Sequence, residues 1–203
     1  MDPEISEAPT PHGPARVHLH HPDGAPAGML MLGHGAGGGI TAPDLQAATA
    51  SALAVGCAVA LVEQPYRVAG RRAPAPIAQA GVAWIAVAAH LGKGEFAGIP
   101  LVTGGRSFGA RVACRTWSET RSSGVVCLAF PTHPPGKPEK TRQPELDAVA
   151  VPALIVQGAS DPFGRPTPPS AGRLVVVAGD HSLKKDHATI RAAVGEWLGS
   201  LLG

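Results

Sequence analysis

The chain has 203 residues and a formal net charge of +2, because 17 Lys and Arg residues stand against 15 Asp and Glu residues. So small an excess of positive charge predicts no nucleic-acid partner, and 44% hydrophobic with 16% charged residues excludes a disordered chain. A chain of this length is expected to bury one hydrophobic core, so we predict one domain and no second module.

The N-terminal segment is acidic and rich in proline. Met1–Pro14 has neither the positively charged start nor the apolar stretch that a signal peptide or a membrane anchor needs. We therefore expect a flexible tail over residues 1–13 and a single domain over residues 14–203. The same features predict a cytoplasmic protein with no membrane partner.

Short apolar runs alternate along the chain with longer Ala-rich stretches. This alternation predicts an α/β fold, in which a mostly parallel sheet is covered by helices on both faces. The predicted strands are Ala15–His20, Met29–Gly33, Ala58–Glu63, Leu101–Gly104, Val125–Phe130, Ala153–Gln157 and Leu174–Ala178. The predicted helices are Pro43–Val55, Ile77–Leu91, Phe108–Glu119 and Lys185–Leu202.

A glycine-rich loop follows the strand predicted at Met29–Gly33. It reads HGAGG from His34 to Gly38, and its small residues let backbone N–H groups approach a ligand closely. In serine hydrolases such a loop supplies half of the oxyanion hole. We predict the N–H of Ala36 as that donor, with Gly35 as the second choice. His34 is expected to brace the loop by hydrogen bonds rather than to act as a base.

The segment EQPYR follows at the end of the strand predicted over Ala58–Glu63. Tyr66 and Arg67 could reach the pocket from there, and simple packing of the loop is an equally good interpretation. Both interpretations stay open on the sequence alone.

The nucleophile is predicted at a turn between a strand and a helix. GRSFG from Gly105 to Gly109 matches G-x-S-x-G, the sharp turn that projects a serine hydroxyl above the sheet of a hydrolase. The two glycines let the strained backbone pass without clashes. Ser107 is therefore the predicted nucleophile, and the N–H of Phe108 is the predicted partner of Ala36 in the oxyanion hole.

Two other interpretations of GRSFG stay open at this point. A pattern with two fixed glycines also arises by chance as an ordinary turn, and Gly-rich turns at helix starts also bind phosphate. No Lys followed by Ser or Thr completes a P-loop here, which favours the hydrolase interpretation. We assign Arg106, beside the serine, and Gly35 to substrate binding.

No lid, metal or cofactor is predicted. The segment from Pro131 to Pro144, PTHPPGKPEKTRQP, is too rich in proline and charge for a helix pair, which indicates a minimal, lidless hydrolase. Cys57, Cys114 and Cys127 lie in apolar runs without metal-ligand spacing and are expected to be buried reduced thiols. The histidines show no HExxH spacing either.

The acid and the base are predicted after the next two strands. Asp161 follows the run ALIVQG and His181 follows RLVVVAG. The chain order Ser107, Asp161, His181 is that of α/β hydrolases, whose strand ends lie side by side at the carboxyl edge of the sheet. His181 would take the serine proton, and Asp161 would fix the imidazole tautomer.

Each of these two assignments has a rival. Asp180 adjoins His181, so a good side-chain contact between the two is not expected, and turn capping is the alternative role. His187 lies on a predicted helix beside Lys184 and Lys185, which indicates a solvated face.

The chain resembles the small α/β hydrolases of the dienelactone-hydrolase-like group, including the testis-expressed-hydrolase-like family related to a histone acetyltransferase complex subunit. The matching pieces are HGAGG, GGRSFGAR, PTHPPGKPEKTR, QGASDPFG and GDHSL. The resemblance implies an α/β-hydrolase fold with Ser107, Asp161 and His181 at the triad positions, and it implies no particular substrate. Dienelactone hydrolases commonly have Cys where this chain has Ser107, so hydrolysis of that lactone is not expected.

The function expected from these motifs is that of a carboxylesterase-like serine hydrolase. Its partner would be a small-molecule ester or thioester with a short acyl group, cleaved through an acyl-Ser107 intermediate. The alternative is a catalytically inactive protein of the same fold that binds partners through its N-terminal tail or the loop Pro131–Arg142.

Overall fold

An eight-stranded sheet forms the centre of the molecule, and the computed structural model describes residues 2–203. The strands are β1 Glu4–Ala8, β2 Ala15–His20, β3 Gly28–Gly33, β4 Cys57–Glu63, β5 Leu101–Arg106, β6 Gly124–Leu128, β7 Ala153–Gly158 and β8 Gly172–Val177. The helices are α1 Pro43–Ala54, α2 Pro65–Val68, α3 Ile77–Leu91, α4 Phe108–Thr116, α5 Gln143–Asp147 and α6 His187–Leu202, with a 3₁₀ turn at Gly94–Phe96.

The strands lie in the order β1-β2-β4-β3-β5-β6-β7-β8. The pairs β1–β2 and β2–β4 are antiparallel, and the other five pairs are parallel. The predicted α/β fold with a mostly parallel sheet is therefore confirmed. Because parallel strands end at the same edge, the loops after β3, β5, β7 and β8 meet there.

Helices cover both faces of the sheet. Leu30 and Leu32 of β3 pack in a cluster with α1 and α6, whereas Met29 and Met31 pack with α3 and α4. Successive side chains of a strand point to opposite faces, so a strand covered on both sides must be apolar at every position. All residues of β3 are buried, which explains why this strand appears in the sequence as an unbroken apolar run.

The N-terminal segment differs from the prediction of a flexible tail over residues 1–13. Glu4–Ala8 forms an edge strand that pairs with β2 along its whole length, from Glu4 opposite Leu19 to Ala8 opposite Ala15. Four of its five residues are exposed. An edge strand needs only its backbone hydrogen bonds to pair, so its sequence carries no apolar pattern that would have revealed it.

The remaining differences concern short elements and boundaries. α4 ends at Thr116 rather than Glu119, and α6 begins at His187 rather than Lys185. Between β6 and β7 the only helix is the five-residue α5, in agreement with the prediction that this segment forms no helix pair. The three cysteines are free and buried, as predicted. None of the helices within residues 2–203 is long and apolar enough to cross a membrane.

Candidate active site

The structure brings the three predicted triad residues together at the carboxyl edge of the sheet. Ser107 follows β5, Asp161 follows β7 and His181 follows β8. His181 Nε2 lies 2.9 Å from Ser107 Oγ, and His181 Nδ1 lies 2.8 Å from Asp161 Oδ2. A carboxylate on one ring nitrogen and a hydroxyl on the other form the arrangement that makes serine nucleophilic.

The backbone at Ser107 adopts the strained geometry that the glycine pattern predicts. Ser107 has φ 52° and ψ −103°, a backbone conformation that residues other than glycine rarely adopt. Its N–H donates to Leu128 O at 2.8 Å, which fixes the turn against β6. A Cβ at either Gly105 or Gly109 would collide with the carbonyl oxygen of Gly33, so both positions require glycine.

Asp161 is held by two donors in addition to His181. Gln157 Nε2 donates to Oδ2 and the N–H of Phe163 donates to Oδ1, both at 2.8 Å. The side chain of Asp161 is 1% exposed, so these donors replace the water that the carboxylate gives up. The ring of Phe163 also packs edge-on against His181, with ring centroids 4.4 Å apart. The sequence patterns gave no indication of either supporting residue.

The two rival residues lie outside this hydrogen-bonded chain. Asp180 is exposed and accepts bonds from the hydroxyl and the N–H of Ser182, and these bonds, the hydroxyl bond first, lower the pKa of its carboxyl. These contacts agree with the turn-capping role of Asp180. His187 is the first residue of α6 and is half-buried rather than solvated, whereas Lys184 and Lys185 are exposed.

Ala36 and Phe108 lie on the same cavity as Ser107 and His181. Neither N–H donates a hydrogen bond within residues 2–203, and Phe108, as the first residue of α4, has no acceptor inside the helix. Both donors are therefore available to a ligand. Gly35, the second choice as donor and a predicted substrate-binding residue, is buried and does not line this cavity, and a Cβ there would stand 3.0 Å from Arg106 Nη1.

His34 and Tyr66 fix the loop that carries Ala36. His34 Nδ1 donates to Gly35 O at 2.8 Å and Nε2 accepts from the N–H of Gln64 at 3.2 Å, so the ring is the neutral Nδ1–H tautomer. Burial lowers the pKa of His34 and favours this neutral form. The Tyr66 hydroxyl donates to Ala36 O at 3.0 Å, and burial raises its pKa to about 12. The bracing role expected of His34 agrees with these contacts.

Arg106 makes contacts that differ from its predicted role in substrate binding. Its Nε lies 3.0 Å from Oδ2 of Asp44, whose side chain is fully buried, as an ion pair with poor hydrogen-bond angles. Its Nη2 donates to the backbone carbonyl of His181 at 3.0 Å. The guanidinium thus lies behind the site and links α1 to the loop of the base, because alternate residues of a strand point to opposite faces.

The cavity in front of Ser107 has a volume of about 330 Å³. Besides Ala36, Ser107, Phe108 and His181, it is lined by Pro74, Arg111, Pro131, Pro135, Arg142 and Phe163. The loop that begins at Pro131 therefore forms part of the wall of the site. Neither arginine was expected there from the sequence patterns. Arg111 lies one helical turn after Ser107, and a spacing of four residues places both on the same face of the helix start, a signal that was available.

A family model described as an alpha/beta hydrolase domain matches residues 26–192. A serine hydrolase without a lid from Xanthomonas campestris is 18% identical, with a TM-score of 0.72 over 98% of this chain and 94% of that chain. Est1E from Butyrivibrio proteoclasticus, solved with ferulic acid, is 15% identical, with a TM-score of 0.79 over 97% and 99%. A dienelactone hydrolase from Anabaena variabilis is 16% identical, with a TM-score of 0.74 over 98% of each chain. These likenesses establish the predicted α/β-hydrolase fold.

Proposed function

Because the chain belongs to the α/β-hydrolase family, we propose that it is a serine esterase that cleaves carboxylic esters or thioesters with small acyl groups. The observation that carries the proposal is the chain of hydrogen bonds from Ser107 Oγ through His181 to Asp161, at 2.9 and 2.8 Å. Both distances lie in the range that proton transfer to a positioned base requires. The serine also opens on a cavity lined by Ala36 and Phe108, whose backbone N–H groups bond no acceptor within residues 2–203.

Acylation begins when Ser107 Oγ attacks the carbonyl carbon of the ester and His181 Nε2 takes the hydroxyl proton. The carbonyl oxygen becomes an oxyanion, which accepts hydrogen bonds from the N–H groups of Ala36 and Phe108. Asp161 accepts from His181 Nδ1 and stabilises the imidazolium. His181 then donates the proton to the leaving alcohol or thiol, the ester bond breaks, and the acyl group stays on Ser107.

Deacylation repeats these steps with water. His181 takes a proton from a water molecule that attacks the acyl carbon, and the same two N–H groups hold the second oxyanion. Collapse of this intermediate breaks the bond to Ser107 Oγ, which recovers its proton from His181. The carboxylic acid leaves and the starting arrangement is restored.

The walls of the cavity favour short acyl groups. A volume of about 330 Å³ is near the lower end of ligand sites. Phe108, Phe163 and the prolines supply apolar contact, and the loops around them form no lid that could cover a long chain. An acetyl or butyryl group fits such a site better than a palmitoyl group.

A fluorophosphonate probe tests the proposal, since it phosphonylates only an activated serine. Stoichiometric labelling of the wild-type protein is expected, together with none in Ser107→Ala. That variant should hydrolyse 4-nitrophenyl acetate at least about 10³-fold more slowly. The matched control is Ser118→Ala, which removes an exposed hydroxyl two residues after the end of α4 and is expected to change neither result.

Two outcomes would contradict this prediction. Hydrolysis by Ser107→Ala at the wild-type rate would exclude Ser107 as the nucleophile. A correctly folded wild-type protein that resists the probe would favour the non-catalytic binding protein of the same fold. The ratio of rates for acetyl, butyryl and palmitoyl esters, measured in the same assay, tests the preference for short acyl groups.

A further inference from the structure

Arg142 places a positive charge on the cavity without an acidic partner. The residue is half-buried and lines the same cavity as Ser107 and His181. Among the residues that the structure describes, no carboxylate oxygen lies within 4.0 Å of its guanidinium. Its one side-chain hydrogen bond, from Nη1 to His133 O, is long at 3.4 Å. A half-buried guanidinium that has no paired carboxylate and only one long hydrogen bond favours the binding of an anion.

The neighbouring charges increase this imbalance. Arg111 also lines the cavity and donates from Nε and Nη2 to Glu145, at 2.8 and 2.6 Å. The same carboxylate accepts from Arg115 at 3.2 Å. One carboxylate thus serves two arginines while Arg142 has none. None of the described residues that line the cavity is acidic, and Asp161 is engaged by His181. Burial first, and then the charge of Arg111, lower the pKa of Arg142, and the opposing attraction of Glu145 does not cancel them.

The loop that carries Arg142 is fixed relative to the catalytic edge. The N–H of Arg142 donates to Thr132 O at 2.7 Å. Thr132 in turn donates from its N–H and its hydroxyl to Phe163 O, at 2.9 and 2.5 Å. Phe163 is the residue whose own N–H holds Asp161. The backbone of Arg142 is therefore fixed relative to the catalytic residues, which holds the start of its side chain at the site.

From these contacts we propose that the ester substrate carries an anionic group, a carboxylate or a phosphate, that binds Arg142 beside Arg111. The inference rests on the proposed esterase function and names the class of substrate that this site takes. The planar guanidinium matches the oxygens of both anions and can donate two parallel hydrogen bonds to either. Ester cleavage proceeds at Ser107 while the anion holds the substrate in register.

The kinetic test compares two esters of similar size, mono-4-nitrophenyl glutarate and its neutral methyl ester. The wild-type protein is expected to have a kcat/KM about tenfold or more higher for the anionic ester, the ratio that one charge-assisted hydrogen bond gives. Arg142→Gln should lower this ratio about tenfold, and Arg142→Lys should retain part of it because the charge stays and the fork is lost. Lys140→Gln, an exposed residue of the same loop, is the matched control and should keep the wild-type ratio.

Further arms of the test identify the anion and its place. 4-Acetoxybenzoate and its methyl ester put the carboxylate on the alcohol part, so the pair with the larger ratio shows which part binds Arg142. Calorimetric titration with glutarate and with inorganic phosphate measures anion binding without catalysis, and Arg142→Gln should lose it. Equal kcat/KM within both ester pairs, or anion binding unchanged in Arg142→Gln, would overturn the inference. If the wild-type protein hydrolysed none of these esters but still bound glutarate or phosphate through Arg142, the esterase function would be overturned instead.

Discussion

Two arginines near Ser107 form ion pairs in different surroundings and with different roles. Arg106 precedes the serine and pairs behind the site with Asp44, which is fully buried, while it also holds the carbonyl of His181. Arg111 follows one helical turn later, lines the cavity and pairs with Glu145. An arginine–carboxylate pair thus supports the loop of His181 in the case of Arg106. In the case of Arg111 it holds a side chain of the cavity wall.

The surroundings of the two carboxylates explain the difference. Asp44 has only Arg106 as its cationic partner, and no side chain donates a well-aligned hydrogen bond to it within residues 2–203. Glu145 has two cationic partners and a bidentate contact, and its side chain is 13% exposed. The first pair is therefore fragile when one member is removed, and the second is redundant.

The largest expected effect separates the two pairs by stability. Arg106→Met leaves Asp44 buried without a counter-charge, and we expect it to lower the free energy of unfolding by about 3 kcal/mol. Arg111→Met leaves Glu145 paired with Arg115 and should lower it by about 1 kcal/mol. Urea unfolding of both variants measures the difference, with exposed Lys140→Met as the control. Equal losses for Arg106→Met and Arg111→Met would remove the distinction between the pairs.

A double variant tests whether Arg106 positions His181 in addition to stabilising the fold. Arg106→Met combined with Asp44→Leu replaces the buried pair by apolar groups and should recover most of the lost stability. The carbonyl of His181 still lacks its donor, so kcat for 4-nitrophenyl acetate should fall about tenfold with little change in KM. A double variant with the wild-type kcat would assign Arg106 to stability alone.

The sequence predicts best what periodicity and chain order determine. Doubly covered strands such as Ala58–Glu63 and Ala153–Gln157 must be apolar throughout, so their predicted bounds agree with the structure within a residue or two. Ser107, Asp161 and His181 could be predicted as neighbours because each follows a strand, and parallel strands deliver their carboxyl ends to one edge.

Contacts made through loops and edges have no comparable signal. Arg142 is held at the cavity because its N–H bonds Thr132, which in turn bonds Phe163. The spacing of these three residues in the sequence does not predict that they lie close together. The strand Glu4–Ala8 is held by backbone pairing alone. The place of Arg106 beside Ser107 predicts a role in substrate binding, whereas strand alternation directs its side chain to the other face of the sheet.

The smallest expected effect is a pH dependence of the free energy of unfolding, which arises from the pair of Asp44 and Arg106 behind the site. Burial raises the pKa of the Asp44 carboxyl above its ordinary value of 3.8, against the attraction of Arg106. Between the unfolded and the folded pKa the native state keeps a proton that the unfolded state has released, so stability falls as pH rises through that window.

Asp44→Asn removes this titration. Its free energy of unfolding, relative to that of the wild-type protein, should therefore rise with pH from about pH 4 upward and level off above the folded pKa. The slope of the rise is about 1.4 kcal/mol for each pH unit between the unfolded and the folded pKa of Asp44. Urea unfolding at successive pH values measures the difference curve. A curve of the opposite sign would mean that the attraction of Arg106 outweighs burial, and the pair behind the site would then be an ordinary stabilising ion pair like the one at the cavity wall.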